Sequence, residues 1–213
     1  MHIEKYNRSA LGHILQHCEN EKVRAKRDNV DSNRHNENYN LVKGSGIDNL
    51  RKILKQVHCS KRKDVNIICS CVVSVPDNLP KGREREFFIY ACKFLSNRYK
   101  SPCVSACCHF NEPNSKPHLH FIFVPLVFDK KKDRYKVCAK EKITKQDLQS
   151  LHQDFQKYLK DNMHLDLDIL NGATANGNKT INELKADTLK KEISLLQKKK
   201  SQLLNAIEQV LSR

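Results

Sequence analysis

The stretch from Cys103 to Val127 restricts the fold of this chain more than any other. Two apolar segments, Cys103–Phe110 and His118–Val127, flank the turn-rich Asn111–Pro117. A parallel pair would need a crossover of roughly a dozen residues, so the short linkage predicts an antiparallel hairpin. A third strand is expected at Asn66–Val75, which is rich in β-branched and Cys residues and closed by Pro76. Helices are expected around these strands. Leu50, Ile53, Leu54 and Val57 recur at i, i+3, i+4 and i+7 in Ile47–His58, with Asp48 in the first turn. Gly82–Tyr99 places Phe87, Phe88, Ala91, Phe94 and Leu95 on one stripe. Thr144–Asn162 repeats Leu148, Leu151, His152, Phe155, Tyr158 and Leu159, with Thr144 placed to cap and Asp147 three residues on. The looser spacing of Ala10, Ile14, Cys18 and Val23 predicts a short helix within Ser9–Arg27. The polar Asp28–Asn38 after it reads as a loop that orders on binding, and Asp129–Arg134 as a charged connector. The order helix, strand, helix, hairpin, helix fits an α+β fold, an antiparallel sheet with helices packed against one face.

The 213 residues are enough for one domain and an appendage. Residues 1–170 are expected to form the domain. Residues 171–180, rich in Gly, Ala, Asn and Thr without apolar periodicity, read as a linker. In residues 181–213, Leu189, Ile193, Leu196, Lys200, Leu203, Ile207 and Val210 alternate at four- and three-residue steps. That is the seam of a coiled coil able to join two copies or dock a partner protein, and Lys200 within it lowers its stability.

A net charge of +15, from 39 Lys and Arg against 24 Asp and Glu, suits a polyanion. The basic residues are spread along the chain rather than stacked on one amphipathic face, which favours nucleic acid over an acidic membrane surface. No apolar run reaches the roughly 18–20 residues of a membrane span, and Met1–Ala10 lacks a signal-peptide core, so a cytoplasmic protein is expected. The nine cysteines lie largely in apolar stretches without paired metal-binding spacing and are expected as reduced, buried thiols.

The hairpin also carries the chemistry. On a strand, His118 and His120 point to one face about 7 Å apart while Leu119 points to the other. If the preceding strand pairs with theirs, His109 at its end reaches the same ion, with Glu112 nearby in the turn. Imidazole suits Mn, Fe, Ni, Cu or Zn, and the carboxylate shifts the preference towards Mn; the expected cofactor is Mn2+ or Mg2+. A site with three His ligands keeps open positions and can polarise a phosphate oxygen.

His109, Glu112, Pro117, His118 and His120 resemble the His-hydrophobic-His (HUH) metal motif of relaxases and rolling-circle replication proteins, specifically the MobV (Pre/Mob) plasmid mobilisation family. The resemblance covers most of residues 3–170. Upstream, Gly12, His17, Asp31, Arg34, Asn38, Tyr39 and Leu41 are similar to that family's N-terminal motif in type and spacing. The chain departs from it where the family has His-Asn-x-Arg and this sequence reads His17, Cys18, Glu19, Asn20, and again where Asn36 stands in place of a His. The resemblance implies a HUH relaxase-like domain that nicks and rejoins one DNA strand at a plasmid or mobile-element transfer origin, single-stranded or supercoiled. It implies His17 as nucleophile, with Tyr39 in reserve, and Glu112 as a further ligand or a base. Arg24, Lys26, Arg27, Arg34, Asn38, Tyr39 and Lys43 are the expected DNA contacts. A rolling-circle initiator or single-strand transposase, and a non-catalytic DNA-binding plasmid-control protein, are the alternatives.

Overall fold

The computed structural model describes residues 1–19, 30–112, 115–170, 186, 189–190 and 193–204. The chain divides into two compact units, Met1–Leu170 and Asn171–Arg213. In the first, strands β1 (His2–Asn7), β2 (Tyr39–Asn40), β3 (Asn66–Ser74), β4 (Cys103–His109) and β5 (His118–Phe123) form one sheet in the order β1-β3-β5-β4-β2. Every neighbouring pair is antiparallel. The expected hairpin is therefore the centre of the sheet: β5 pairs with β4 on one side and β3 on the other, which explains why all six of its residues are buried.

Strand alternation sorts the interior into two cores. Cys69, Cys71, Val73, Ala106, Cys108, Leu119, Phe121 and Phe123 face α3 (Glu84–Tyr99) and α5 (Lys145–Met163), with the short α4 (Ala139–Lys142) between them in sequence order before α5. Aromatic rings dominate this side. Phe94 meets Phe155 at 5.0 Å, and Tyr99 stacks on Phe123 at 4.8 Å and 12°. On the other face Ile68, Val104, Cys107, Ile122 and Val124 pack with Ile14, Leu15 and Cys18 of α1 (Leu11–Glu19) and Leu50 of α2 (Gly46–Gln56). Helices thus cover both faces of the sheet, where the element order alone suggested one. The reason lies in the sheet itself: Ile68, Val104, Ile122 and Val124 project on one face and Leu119, Phe121 and Phe123 on the other, and each set must be shielded from water.

Arg98 fastens α3 to α5. Its guanidinium donates to Asp147 Oδ1 and Asp154 Oδ2 at 2.7 Å each and to Ser150 Oγ at 2.8 Å. Thr144 caps α5 as expected, its Oγ1 accepting from Asp147 N at 3.1 Å. The Asp147 carboxylate turns instead to Arg98 and to the Tyr99 hydroxyl, so the reciprocal half of a capping box is replaced by a tertiary contact. All nine cysteines are thiols rather than disulfides, and five of them are buried. Burial pushes the Cys69 and Cys71 thiols up to about 12, which keeps them protonated and unreactive.

Other elements differ from expectation. The β1 strand carries little apolar pattern because it is an edge strand, largely exposed and recruited by β3. The run His118–Val127 breaks after Phe123: Val124 N donates to Pro102 O, Pro125 follows, and β6 (Leu126–Asp129) pairs with β7 (Arg134–Val137) in a separate two-stranded ribbon. The expected charged connector is the turn of that ribbon. In the expected loop, Ser32–Glu37 forms a 3-10 helix capped by the Asp31 side chain on Asn33 N and tied by Asp31 N to Asn111 O at 2.8 Å. Tertiary bonds do there what apolar burial cannot.

Gly46 opens α2 against its neighbours: a Cβ there would stand 2.6 Å from Glu19 Oε1, 3.0 Å from Leu15 Cδ2 and 3.2 Å from Ser105 Cβ. Glu19 is held by Gly46 itself, so it cannot simply swing away. Gly46→Ala is expected to lower the unfolding free energy by about 1–3 kcal/mol, the usual cost of overpacking. A urea titration should show a lower midpoint at unchanged slope.

Candidate metal centre

The β4–β5 register decides the site. His109 lies directly opposite His118, and Cys107 opposite His120. Leu119 falls into the aromatic core, while His109, His118 and His120 share the face that α1 covers. Their ring centroids lie 4.9–5.3 Å apart. All three are buried, with 1–7% exposure. Burial of three imidazoles side by side is costly unless their nitrogens serve a purpose.

The donor geometry fits a divalent ion. His109 Nε2 lies 3.2 Å from Cys18 O, and His118 Nδ1 lies 2.9 Å from Lys116 O. A carbonyl only accepts, so both nitrogens carry hydrogen, which puts the lone pairs on His109 Nδ1 and His118 Nε2. Such a backbone partner on the far nitrogen is what orients a metal-ligating imidazole. Glu112 stands between those lone pairs, 3.9 Å from His109 Nδ1 and 3.8 Å from His118 Nε2. These separations are too long for hydrogen bonds. They suit donors that share an ion, since two ligands bonded at about 2.1 Å sit roughly 3–4 Å apart. Among the described residues two overlapping groups have donor atoms within 4.8 Å of one another: His109, Glu112 and His118, and His17, His109 and His120.

His17 is brought there by α1. Ile14, Leu15 and Cys18 bury one stripe of that helix, and His17 on the adjoining face stands edge-on to His109 at 5.6 Å and to His120 at 5.2 Å. Two anchors hold the end of the helix. One is the Cys18 carbonyl on His109. The other is the Glu19 carboxylate, both of whose oxygens accept from Gly46 N at 3.0 Å. Ser45, the N-cap of α2, makes no side-chain cap bond, so Glu19 supplies that cap from another helix, at the positive end of the α2 dipole. Sequence reasoning missed both Glu19 and Asn111. Asn111 is fully buried; its amide donates to Asp31 O at 3.4 Å and lies 3.2 Å from His35 Nδ1, joining the 3-10 segment to the hairpin turn. The signal available for Glu19 was its departure from the family pattern two residues after His17.

The remaining candidates lie elsewhere. Tyr39 pairs with Cys108, the residue before His109, and so projects to the opposite face, packed on Phe110 at 5.9 Å and under the Arg85 guanidinium at 4.7 Å. Burial raises its phenol well above the ordinary tyrosine range. Asn38 accepts from Phe110 N at 2.8 Å and so ties β2 to the end of β4. Arg34 is engaged by Glu37 through bonds of 2.8 and 2.6 Å on the surface, and Lys43 is exposed. Arg24, Lys26 and Arg27 lie outside the described residues. A cavity of about 450 Å³, lined in part by Glu19, Asn38, Asn40 and Ser45, adjoins His109.

Comparison with known proteins agrees with this geometry. The sequence pattern of the plasmid recombination enzyme family, Mob_Pre, matches residues 1–186. A plasmid recombination enzyme of a Bacillus species is 26% identical, covering 98% of this chain and 52% of the relative. The plasmid recombination enzyme type 2 of Staphylococcus aureus is 24% identical, covering 92% and 47%. The chain therefore spans about half the length of the curated relatives it matches. Among solved structures, the Mn-bound MobM relaxase domain (MOBV; Mob_Pre) on 22 nucleotides of plasmid pMV158 oriT DNA superposes with a TM-score of 0.70 at 22% identity, over 87% of this chain and 97% of that one. The same domain on oriT DNA with a 3′ thiophosphate gives 0.69 at 22% identity, over 87% and 96%. At that identity the structures establish a shared fold. The family pattern, matched from Met1 to beyond the end of the sheet domain, shows that this chain belongs to the plasmid recombination enzyme family.

Proposed function

We propose that residues 1–170 form a relaxase domain that nicks and rejoins one DNA strand at a plasmid or mobile-element transfer origin through a covalent protein–DNA intermediate. The observation that carries this reading is the placement of His17, edge-on at 5.2–5.6 Å to two of three clustered imidazoles. His109, His118 and His120 are the ligands, with Glu112 beside them. The ion these residues would hold is Mn2+ or Mg2+, in keeping with the Mn-bound MobM domain, and when bound it would supply Lewis-acid polarisation of the scissile phosphate. A neutral His17 nitrogen forms a bond to phosphorus and the bond to the 3′ oxygen breaks, that oxygen leaving as a hydroxyl once protonated. The second ring nitrogen of His17 gives up its proton, and Glu112 is the nearby carboxylate able to take it. The phosphohistidine retains the energy needed for rejoining. Glu19 and the Cys18 carbonyl hold His17 at the cluster, which lowers the entropic cost of attack. On this reading Tyr39 serves the fold and DNA contact rather than attack.

Arg24, Lys26, Arg27, Arg34, Asn38, Tyr39 and Lys43, which flank the His17 motif in sequence, make the DNA contacts. The protein then works in the bacterial cytoplasm, and no helix among the described residues is long and apolar enough to cross a membrane. Residues 171–180, which lie outside the described residues, act as a linker, and residues 181–213 as a coiled coil that joins two copies or docks a partner protein. Support for the latter is that residues 193–204 are helical and that Leu189, Ile193, Leu196 and Leu203 are 53–64% exposed.

The test is incubation with supercoiled plasmids that carry or lack the flanking DNA of the protein's own gene, with Mn2+ or EDTA, followed by protease and gel analysis. Origin-dependent and Mn2+-dependent open circles, with protein on the 5′ end, are expected; tight binding without nicking under every divalent ion would overturn the assignment. His17→Phe should abolish the covalent adduct while leaving Mn2+ affinity within a few-fold, whereas Tyr39→Phe should retain nicking. His118→Ala should weaken Mn2+ binding by calorimetry at least about tenfold, since losing even an orienting partner of a ligand costs 10–100-fold.

A further inference from the structure

The β6–β7 ribbon presents a surface that neither the core nor the metal centre uses. Leu126 and Val137 oppose each other and face the core on the α2 side. Two residues further out on the same face of the ribbon, Phe128 and Tyr135 form the next cross-strand pair on that face. They are 45% and 55% exposed, and their rings meet at 5.2 Å and 69°. A lone exposed aromatic is ordinary, but two half-exposed rings held side by side by strand pairing mark a contact surface.

Cations surround them. The turn carries exposed Lys130, Lys131 and Lys132, none of which forms an ion pair with another described residue. Asp129 shapes the turn, its Oδ1 accepting from Lys131 N at 3.2 Å and its carbonyl from Lys132 N at 3.1 Å, and its carboxylate offsets part of the positive charge. Arg134, opposite Asp129, has an Nε shielded from solvent with no acceptor among the described residues. Lys136, by contrast, is tied to Glu141 at 2.8 Å. Against the three exposed lysines and Arg134, which lies on the other face of the ribbon opposite Asp129, stand the Asp129 and Asp133 carboxylates, so the turn keeps a net positive charge. The ribbon is also held in place, since His58 N donates to Tyr135 O and Val137 N to His58 O, both at 2.9 Å. A preformed surface loses little entropy on binding.

We infer that this ribbon is a second single-stranded DNA site, at which Phe128 and Tyr135 stack with unpaired bases while Lys130, Lys131 and Lys132 hold the adjoining phosphates. Aromatic faces interleaved with unpaired cations are the chemistry of single-strand binding, and stacking tolerates any base sequence. The net charge of +15 favours the same polyanion. The ribbon follows the end of β5 remote from His118, so it lies on the order of 20 Å from the metal ligands along that strand. Its contribution is to grip a strand already engaged at the metal centre, and it rests on single-stranded DNA being the substrate of the proposed relaxase.

Fluorescence anisotropy of the full chain with a labelled oligothymidine, across a salt series in EDTA, tests the site. The double variant Phe128→Ala/Tyr135→Ala should bind about tenfold or more weakly, given roughly 1–3 kcal/mol per stacked base. Replacing Lys130, Lys131 and Lys132 by Gln should reduce the slope of log affinity against log salt by about 2, at about 0.7 for each phosphate no longer neutralised. All the substituted side chains are exposed, and an unchanged thermal midpoint will show the fold intact. Cleavage of an origin oligonucleotide too short to reach the ribbon should be unchanged in both variants, which separates this site from the catalytic reading: if the wild type binds through the ribbon without nicking, only the proposed function fails. Unaltered affinity and salt slope in both variants would overturn the inference, and so would loss of binding to anionic vesicles with DNA binding intact.

Discussion

The pairing of β4 with β5 is the constraint on which the rest depends. With His109 opposite His118, three imidazoles share one face of the sheet and Leu119 and Phe121 the other. A slip of one residue would exchange those faces, sending the histidines into an aromatic core and the apolar residues into the candidate metal centre. What prevents the slip is burial on both sides. Because β5 is central, with β3 and β4 as neighbours and helices on both faces, its apolar residues are locked by two cores at once. Each fully buried Leu, Ile or Phe contributes about 1.5–3 kcal/mol relative to exposure.

The polar site is then completed from outside the sheet by backbone groups. The Cys18 and Lys116 carbonyls fix the imidazole tautomers, and the Glu19 carboxylate couples the end of α1 to the start of α2. These bonds make the position of His17 depend on the same packing that positions His109, His118 and His120. The departure of this chain from its family's pattern after His17 is thereby given a physical meaning: Glu19 replaces a local cap with a tertiary one, at a glycine that leaves room for the contact.

Much of this was legible in the chain. The spacing of His109, Glu112, His118 and His120 pointed to one site because period two and a short turn leave those side chains few other places. The helices of Gly46–Gln56, Glu84–Tyr99 and Lys145–Met163 carry strong apolar stripes and lie close to where their periodicity put them. What escaped was short or exposed. His2–Asn7 and Tyr39–Asn40 are strands because β3 and β4 offer them hydrogen bonds, and neither carries an apolar signature of its own. The ribbon of Leu126–Asp129 and Arg134–Val137 was hidden because its sequence continues an apolar run past Pro125 and turns through lysines.

The sequence by itself determined which residues could hold a metal, that they sit on a hairpin, and that the chain carries a strong excess of positive charge, because side-chain chemistry, strand periodicity and net charge are local or additive properties. Tertiary structure alone decided that both faces of the sheet are covered, that Tyr39 faces away from the histidines while His17 reaches them, and that Glu19 and Asn111 brace the site. Those outcomes depend on contacts between segments far apart in the chain, such as His109 with Cys18 and Asn111 with Asp31, and no local pattern encodes a pairing across such separations.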